Sequence, residues 1–106
     1  MDRENLVVLV TAPPDKAGPI ARALVEERLA ACVSVVERVR SIYRWEGNVQ
    51  DDAEALLVVK TRAQAFEALR ARVIALHPYQ CPEVVALPIA AGHAPYLAWI
   101  AESVSV

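Results

Sequence analysis

The apolar positions of this chain change period several times along its length. "ENLVVLVTA" is an unbroken apolar run of strand length, rich in β-branched valine and stopped by Pro13-Pro14, which predicts a buried first strand. From Asp15 to Ala31 the residues Ala17, Ile20, Ala21, Leu24 and Leu29 recur at helical spacing, with Glu26, Glu27 and Arg28 largely opposite. A first helix is expected there, with Pro19 placed in its first turn, where a missing N–H is tolerated. "CVSVVERVRSIYRWEG" then switches to period two, as Val39, Ser41, Tyr43 and Trp45 alternate with Arg38, Arg40, Arg44 and Glu46. This predicts a second strand beginning at Cys32. Gly47-Asn48 can supply a turn, and "AEALLVVKTR" returns as a largely apolar third strand, so residues 32–62 form a hairpin. Arms of about fourteen residues at ~3.3 Å each would run roughly 46 Å, more than twice a typical strand. The overhang must bend, pair with another subunit, or both.

Between Ala63 and His77, the residues Phe66, Leu69, Val73 and Leu76 define a second amphipathic helix, with Arg70 and Arg72 toward solvent and Pro78 as the stop. "PEVVALPIA" predicts a fourth strand, apolar on both faces and therefore expected to be fully buried. "APYLAWIAESV" predicts a closing helix with Pro95 in its first turn. The order βαββαβ plus a last helix is an α+β, ferredoxin-like sandwich with a long β-hairpin and an additional C-terminal helix. A chain of 106 residues suits one core, so residues 1–106 are expected to form a single domain.

Charge and composition narrow the partners. A net charge of -2 with Lys and Arg scattered among acids gives no field to attract a phosphate backbone, so nucleic acid is not expected. RNA recognition on this fold would also need aromatics on the central strands, and "LVVLVT" and "ALLVVKT" carry none. The opening "MDRENLVVLV" is apolar for too short a run to be a signal peptide or a membrane span, which leaves a soluble, cytoplasmic protein as the expectation. Cys32 and Cys81 lie far apart and are expected to be unpaired. An apolar content of 56% exceeds the usual ~45–50% and favours a buried subunit interface. There is no G-x-S-x-G turn, no histidine with an identifiable nucleophile and orienting acid, and no Gly-rich phosphate loop, so catalysis is not expected.

Five dispersed segments, "LVTAP", "EERLAACVSVV", "SIYRWEGNVQDDAEALLVVKT", "HPYQCPEVVALPI" and "YLAWI", together resemble the CutA divalent-cation tolerance proteins, in order and across roughly residues 6 to 103. The resemblance implies a compact homotrimer of ferredoxin-like subunits whose long hairpins pair between neighbours. It also implies association with copper and other divalent metals and, for animal relatives, with anchoring of acetylcholinesterase. Three departures stand out. Glu37-Arg38 replaces a frequent Pro-Gly bend, Gln80 replaces a frequent Glu, and a copper site known in the family is matched only at His77, because Val10 and Leu76 stand where its other ligands would be.

Two groups of residues carry candidate chemistry. His77 and Cys81 are spaced like two ligands that could face one ion, and imidazole with thiolate suits Cu(I) or Zn(II). Two ligands do not make a tight site; the structural alternative is a helix-ending His77 and a Cys81 packed as a small hydrophobe. Tyr43, Trp45, Lys60, Tyr79, Glu83 and Trp99 match positions that cluster, in the family, in clefts between subunits. Aromatic walls and a buried Lys60–Glu83 pair could hold a small anionic metabolite, or could simply be a polar network at a trimer interface. The function expected is non-catalytic divalent-metal tolerance, with copper as the ion and no obligatory cofactor; the alternative is a small-molecule sensor that uses the intersubunit clefts.

Overall fold

The computed structural model describes residues 4–105. Its elements run β1 (Asn5–Ala12), α1 (Pro14–Glu26), β2 (Cys32–Trp45), β3 (Asn48–Arg62), α2 (Phe66–Leu76), β4 (Val84–Pro88) and α3 (Ala94–Ser103), with one 3-10 turn at Ala63–Ala65 leading into α2. The strands form one sheet in the order β2-β3-β1-β4 with every neighbour antiparallel, which is the ferredoxin-like arrangement with the expected long hairpin and extra helix. Among the described residues no helix is long and apolar enough to cross a membrane.

Side chains alternate across the sheet, and the register assigns each to a face. Val8 and Val10 of β1 stand opposite Val59 and Leu57 of β3, and with Ala12 and Ala55 they are wholly or almost wholly buried under α1 and α2. Ile20, Leu24, Leu69 and Val73 supply the helical half of that core. A second, smaller cluster of Ala31, Ala65, Ile100 and Val104 seats α3 at the far end of the sheet. The other sheet face carries Val7 and Leu9, Leu56 and Val58, Val36, and Val85 and Leu87, and α3 reaches it only at the Asn5 and Cys32 end.

That bare face changes the expectation for β4. The strand is not fully buried: it is a five-residue edge strand paired to β1 alone, and Val85 and Leu87 are 49% and 51% exposed. Its apolar residues do supply both faces, but the subunit has helices for only one of them.

The helix and turn boundaries also differ from the sequence pattern. Helix α1 stops at Glu26, because the chain turns left-handed at Arg28 (φ 60°). Arg28 N–H bonds the Val25 carbonyl and Leu29 N–H the Leu24 carbonyl, so the last carbonyls are satisfied by a Schellman-type ending and Leu29 is returned to the core. Pro14 opens the helix, which puts Pro19 inside it rather than in its first turn; that stretch is exposed, where water can reach the freed carbonyl. The hairpin turn is centred on Glu46-Gly47, one residue earlier than expected. Both residues have positive φ, 49° and 82°, as the two-residue turn that matches strand twist demands.

The hairpin bends without Pro-Gly. Val36 pairs with Leu56 and Val39 with Glu54, so Glu37 and Arg38 together face one residue, Ala55. This bulge reverses the parity of β2: Cys32, Ser34 and Val36 face the bare side before it, and Val39, Ser41, Tyr43 and Trp45 do so after it. The subunit's long axis reaches 43 Å against 25 and 22 Å across, and the hairpin lengthens it.

Candidate functional site

Helix α2 ends because Pro78 pushes the residue before it out of helical conformation, and His77 is extended at φ -85° and ψ 137°. Its ring turns inward and is 7% exposed. Nε2–H donates to the Thr11 carbonyl at 2.7 Å. Nδ1 accepts the Tyr79 N–H at 3.1 Å. A carbonyl only accepts and an amide N–H only donates, so these partners fix the tautomer with its proton on Nε2. The His77 and Tyr79 rings lie 4.6 Å apart at 55°.

Tyr79, held in this way, donates its hydroxyl to Glu54 Oε2 at 2.8 Å. Glu54 lies on the bare side of β3 immediately beyond the bulge and is only 5% exposed. Two residues along the same face, Asp52 accepts the Tyr43 hydroxyl at 2.6 Å. Thr11, Tyr43, Trp45, Glu54, Tyr79 and Glu83 line a groove of about 710 Å³, in which Gln80 and Cys81 also take part. Partial burial, followed by the bond to Glu54, raises the Tyr79 phenol well above its ordinary value; the bond to Asp52 is the main cause of a rise at Tyr43. Among the described residues no Lys, Arg or His is ion-paired to Asp52, Glu54 or Glu83. Arg40 also lines the groove, and its Nε and Nη2 make a two-pronged bond to Asp51, at 2.8 and 2.6 Å. That bond holds Asp51 below the usual carboxylate range.

The residues singled out from the sequence divide into two places. Tyr43, Trp45, Tyr79 and Glu83 come together in the groove. Lys60 lies six positions further along β3 than Glu54, roughly 20 Å away at ~3.3 Å per residue, and its Nζ donates to Ser34 Oγ at 3.3 Å. Within one chain it makes no ion pair with Glu83. Trp99 stacks on Tyr96 with ring centres 5.4 Å apart, and the Tyr96 hydroxyl lies against Cys32, so both belong to the Lys60 end of the sheet. Cys81 is an exposed free thiol, while both ring nitrogens of His77 are engaged by backbone; a metal could reach His77 only by displacing one of those bonds. Among the described residues of one chain, no group of three or more His, Cys, Asp or Glu converges as a metal ion would require.

The sequence reading missed Glu54 and Asp52. Their signal is the spacing in "QDDAE": Asp52 and Glu54 are two apart, on the strand face that Tyr43 and Trp45 share.

A family model described as "CutA1 divalent ion tolerance protein" matches residues 6–103. The chain is 58% identical over 98 residues to the divalent-cation tolerance protein CutA of Thermus thermophilus, which covers 92% of this chain and 95% of that protein. It also superposes on the solved CutA1 of Oryza sativa with a TM-score of 0.93 at 45% identity, covering 96% of this chain and 94% of that one. A third similar structure, the PII-like protein CutA of Nostoc sp. PCC 7120 in apo form, gives a TM-score of 0.90 at 36% identity, over 94% and 97% of the two chains.

Proposed function

Because the chain belongs to the CutA1 divalent ion tolerance family, we propose that it serves divalent-metal tolerance as a non-catalytic, cytoplasmic homotrimer of single-domain subunits, with copper as the ion it takes up. The observation that carries this reading is the bare sheet face. Val85, Leu87 and Val36 are exposed among the apolar residues on one side of the sheet, and a face of that kind calls for a second sheet to cover it. Cyclic packing of copies would cover it with a closed symmetry and no leftover patch. It would also bring the Lys60–Trp99 end of one subunit toward the groove of another, where the six cleft residues could meet.

For the ion, each subunit offers the Cys81 thiol and the Glu83 carboxylate, both exposed and both on the groove wall. A thiolate favours soft metals such as Cu(I). His77 is available only at the cost of its clamp on Tyr79, so binding is expected to be loose, reversible and weakened by acid, since ligands must shed protons to coordinate. The free thiols of Cys32 and Cys81 suit a reducing compartment. Titration calorimetry with copper tests the site: Cys81→Ala should weaken binding about ten-fold or more, the loss of one of very few donors. Tight stoichiometric binding that survives Cys81→Ala and His77→Ala together would mean that other residues hold the ion.

A second reading is favoured by the groove itself. Its volume of about 710 Å³ and its aromatic walls match a small-molecule pocket better than an ion site, as a sensor of a metabolite would require.

A further inference from the structure

The geometry points to His77 as a metal-operated switch: capture of a soft ion at its Nδ1 releases Tyr79, so that copper uptake is signalled by a movement of the loop of residues 78–83. This rests on the reading that copper binds at this loop. The two nitrogens of the ring have different surroundings. Nε2–H is tied to the Thr11 carbonyl of β1 at 2.7 Å, which leaves Nδ1 without a proton. A ring N–H held by a backbone carbonyl is the usual way of orienting a histidine whose other nitrogen binds metal. Nδ1 faces the loop, where it accepts the Tyr79 N–H at 3.1 Å. Cys81 stands two residues further along the same loop as a free thiol, between Pro78 and Pro82 on one side and the other of Tyr79 and itself, which stiffen the backbone there.

The Nδ1 lone pair therefore has two uses that exclude each other. Given to Tyr79, it fixes the start of the loop: the Tyr79 ring lies 4.6 Å from the imidazole and its hydroxyl reaches Glu54 at 2.8 Å, so the residue is held by backbone, ring and hydroxyl together. Given to an ion, the same pair frees the Tyr79 N–H and unseats the residue. His77 itself stays in place, because its own N–H bonds the Val73 carbonyl in the last turn of α2 and its ring bonds Thr11, so the moving part is the loop. Coordination needs no redox partner. Cys81 gives its thiol proton to solvent, His77 gives none, and Cu(I) remains Cu(I). A thiolate and one imidazole suit this ion better than Zn(II), which asks for four ligands, and among the described residues no group of three or more His, Cys, Asp or Glu converges. The bonds that set the switch are all made within one chain, so it does not depend on what covers the sheet face. By linkage, whatever holds Tyr79 opposes the ion, and weakening that hold tightens metal binding.

The test is anaerobic titration of the full-length, assembled protein with Cu(I), with the His77 ring nitrogens and the Tyr79 amide followed by NMR. In the wild type the Nδ1 and Tyr79 N–H signals should move together as the ion is added, and exchange of the Tyr79 amide with solvent should quicken about ten-fold or more. Tyr79→Phe removes the bond to Glu54 and should tighten Cu(I) about five-fold, the scale of one hydrogen bond. His77→Asn keeps a carbonyl acceptor for the Tyr79 N–H but no ring nitrogen for the ion. It should weaken Cu(I) about ten-fold, leave the Tyr79 amide unmoved on loading, and abolish the gain from Tyr79→Phe. Copper that is weakened by Cys81→Ala, yet binds His77→Asn at full strength and leaves the Nδ1 signal in place, would overturn the switch and leave the copper reading standing. Binding that neither Cys81→Ala nor His77→Asn changes, or no binding at all, would overturn both.

Discussion

At the scale of single residues, Tyr79 connects the parts of the site. It is fixed from behind by His77, which is itself fixed by the Thr11 carbonyl, and it spends its hydroxyl on Glu54. Tyr79→Phe removes the one side-chain donor that a nearly buried carboxylate has among the described residues. It should cost about 1–2 kcal/mol in denaturant unfolding, toward the lower part of the usual range because Tyr79 itself is partly exposed. The effect has a pH signature. The folded phenol is raised above its ordinary 10.0, so the protonated form is favoured by folding. Its contribution is complete below about pH 10, the unfolded value, and is lost as pH rises toward the higher folded value. The stability gap between the wild type and Tyr79→Phe should therefore be flat through neutral pH and shrink in strong alkali. A gap that stayed constant there would show that Glu54 does not hold the phenol protonated.

At the scale of elements, two left-handed residues set the ends of α1 and of the hairpin, and they respond oppositely to substitution. Arg28 carries a side chain at φ 60°, where glycine is free of strain. Its guanidinium bond to the Glu102 carbonyl, 3.2 Å, is exposed and worth little. Arg28→Gly should raise stability by about 0.5–1 kcal/mol, the usual gain when an L residue leaves this region at a helix end. Gly47 occupies φ 82° at the hairpin tip, with nothing near a would-be Cβ, so Gly47→Ala is penalised by backbone strain alone. It should cost about 1 kcal/mol. Chemical denaturation of the pair measures both signs, and a destabilised Arg28→Gly would mean that the Glu102 contact matters more than the strain.

At the scale of the whole molecule, α1 and α2 cover one side of the sheet, and α3 reaches only one end of the other. Val85→Asp places a charge on the bare side of the edge strand without touching the core under α1 and α2. Sedimentation equilibrium should find the wild type at three times the 11.6 kDa chain and the variant shifted toward the single chain. A wild type that stays folded and monomeric at micromolar concentration would remove the assembly on which the proposed function rests.

Sequence alone determined the elements and their order, because hydrophobic period is a local property: two in β2, near 3.6 in α1 and α2, unbroken in β1. It also brought Tyr43, Trp45, Tyr79 and Glu83 forward, since aromatics and an acid beside prolines stand out locally. What it could not determine was anything set by register. The bulge at Glu37-Arg38 adds one residue and exchanges the faces of β2 across it, and the turn at Glu46-Gly47 fixes which residues of β2 and β3 stand opposite. Only the tertiary structure could therefore place Glu54 and Asp52 beside the aromatics, commit both His77 nitrogens to backbone, and leave Lys60 and Trp99 at the opposite end of the sheet. Those facts depend on which strands become neighbours and in what alignment, and contacts between residues distant in the chain decide that.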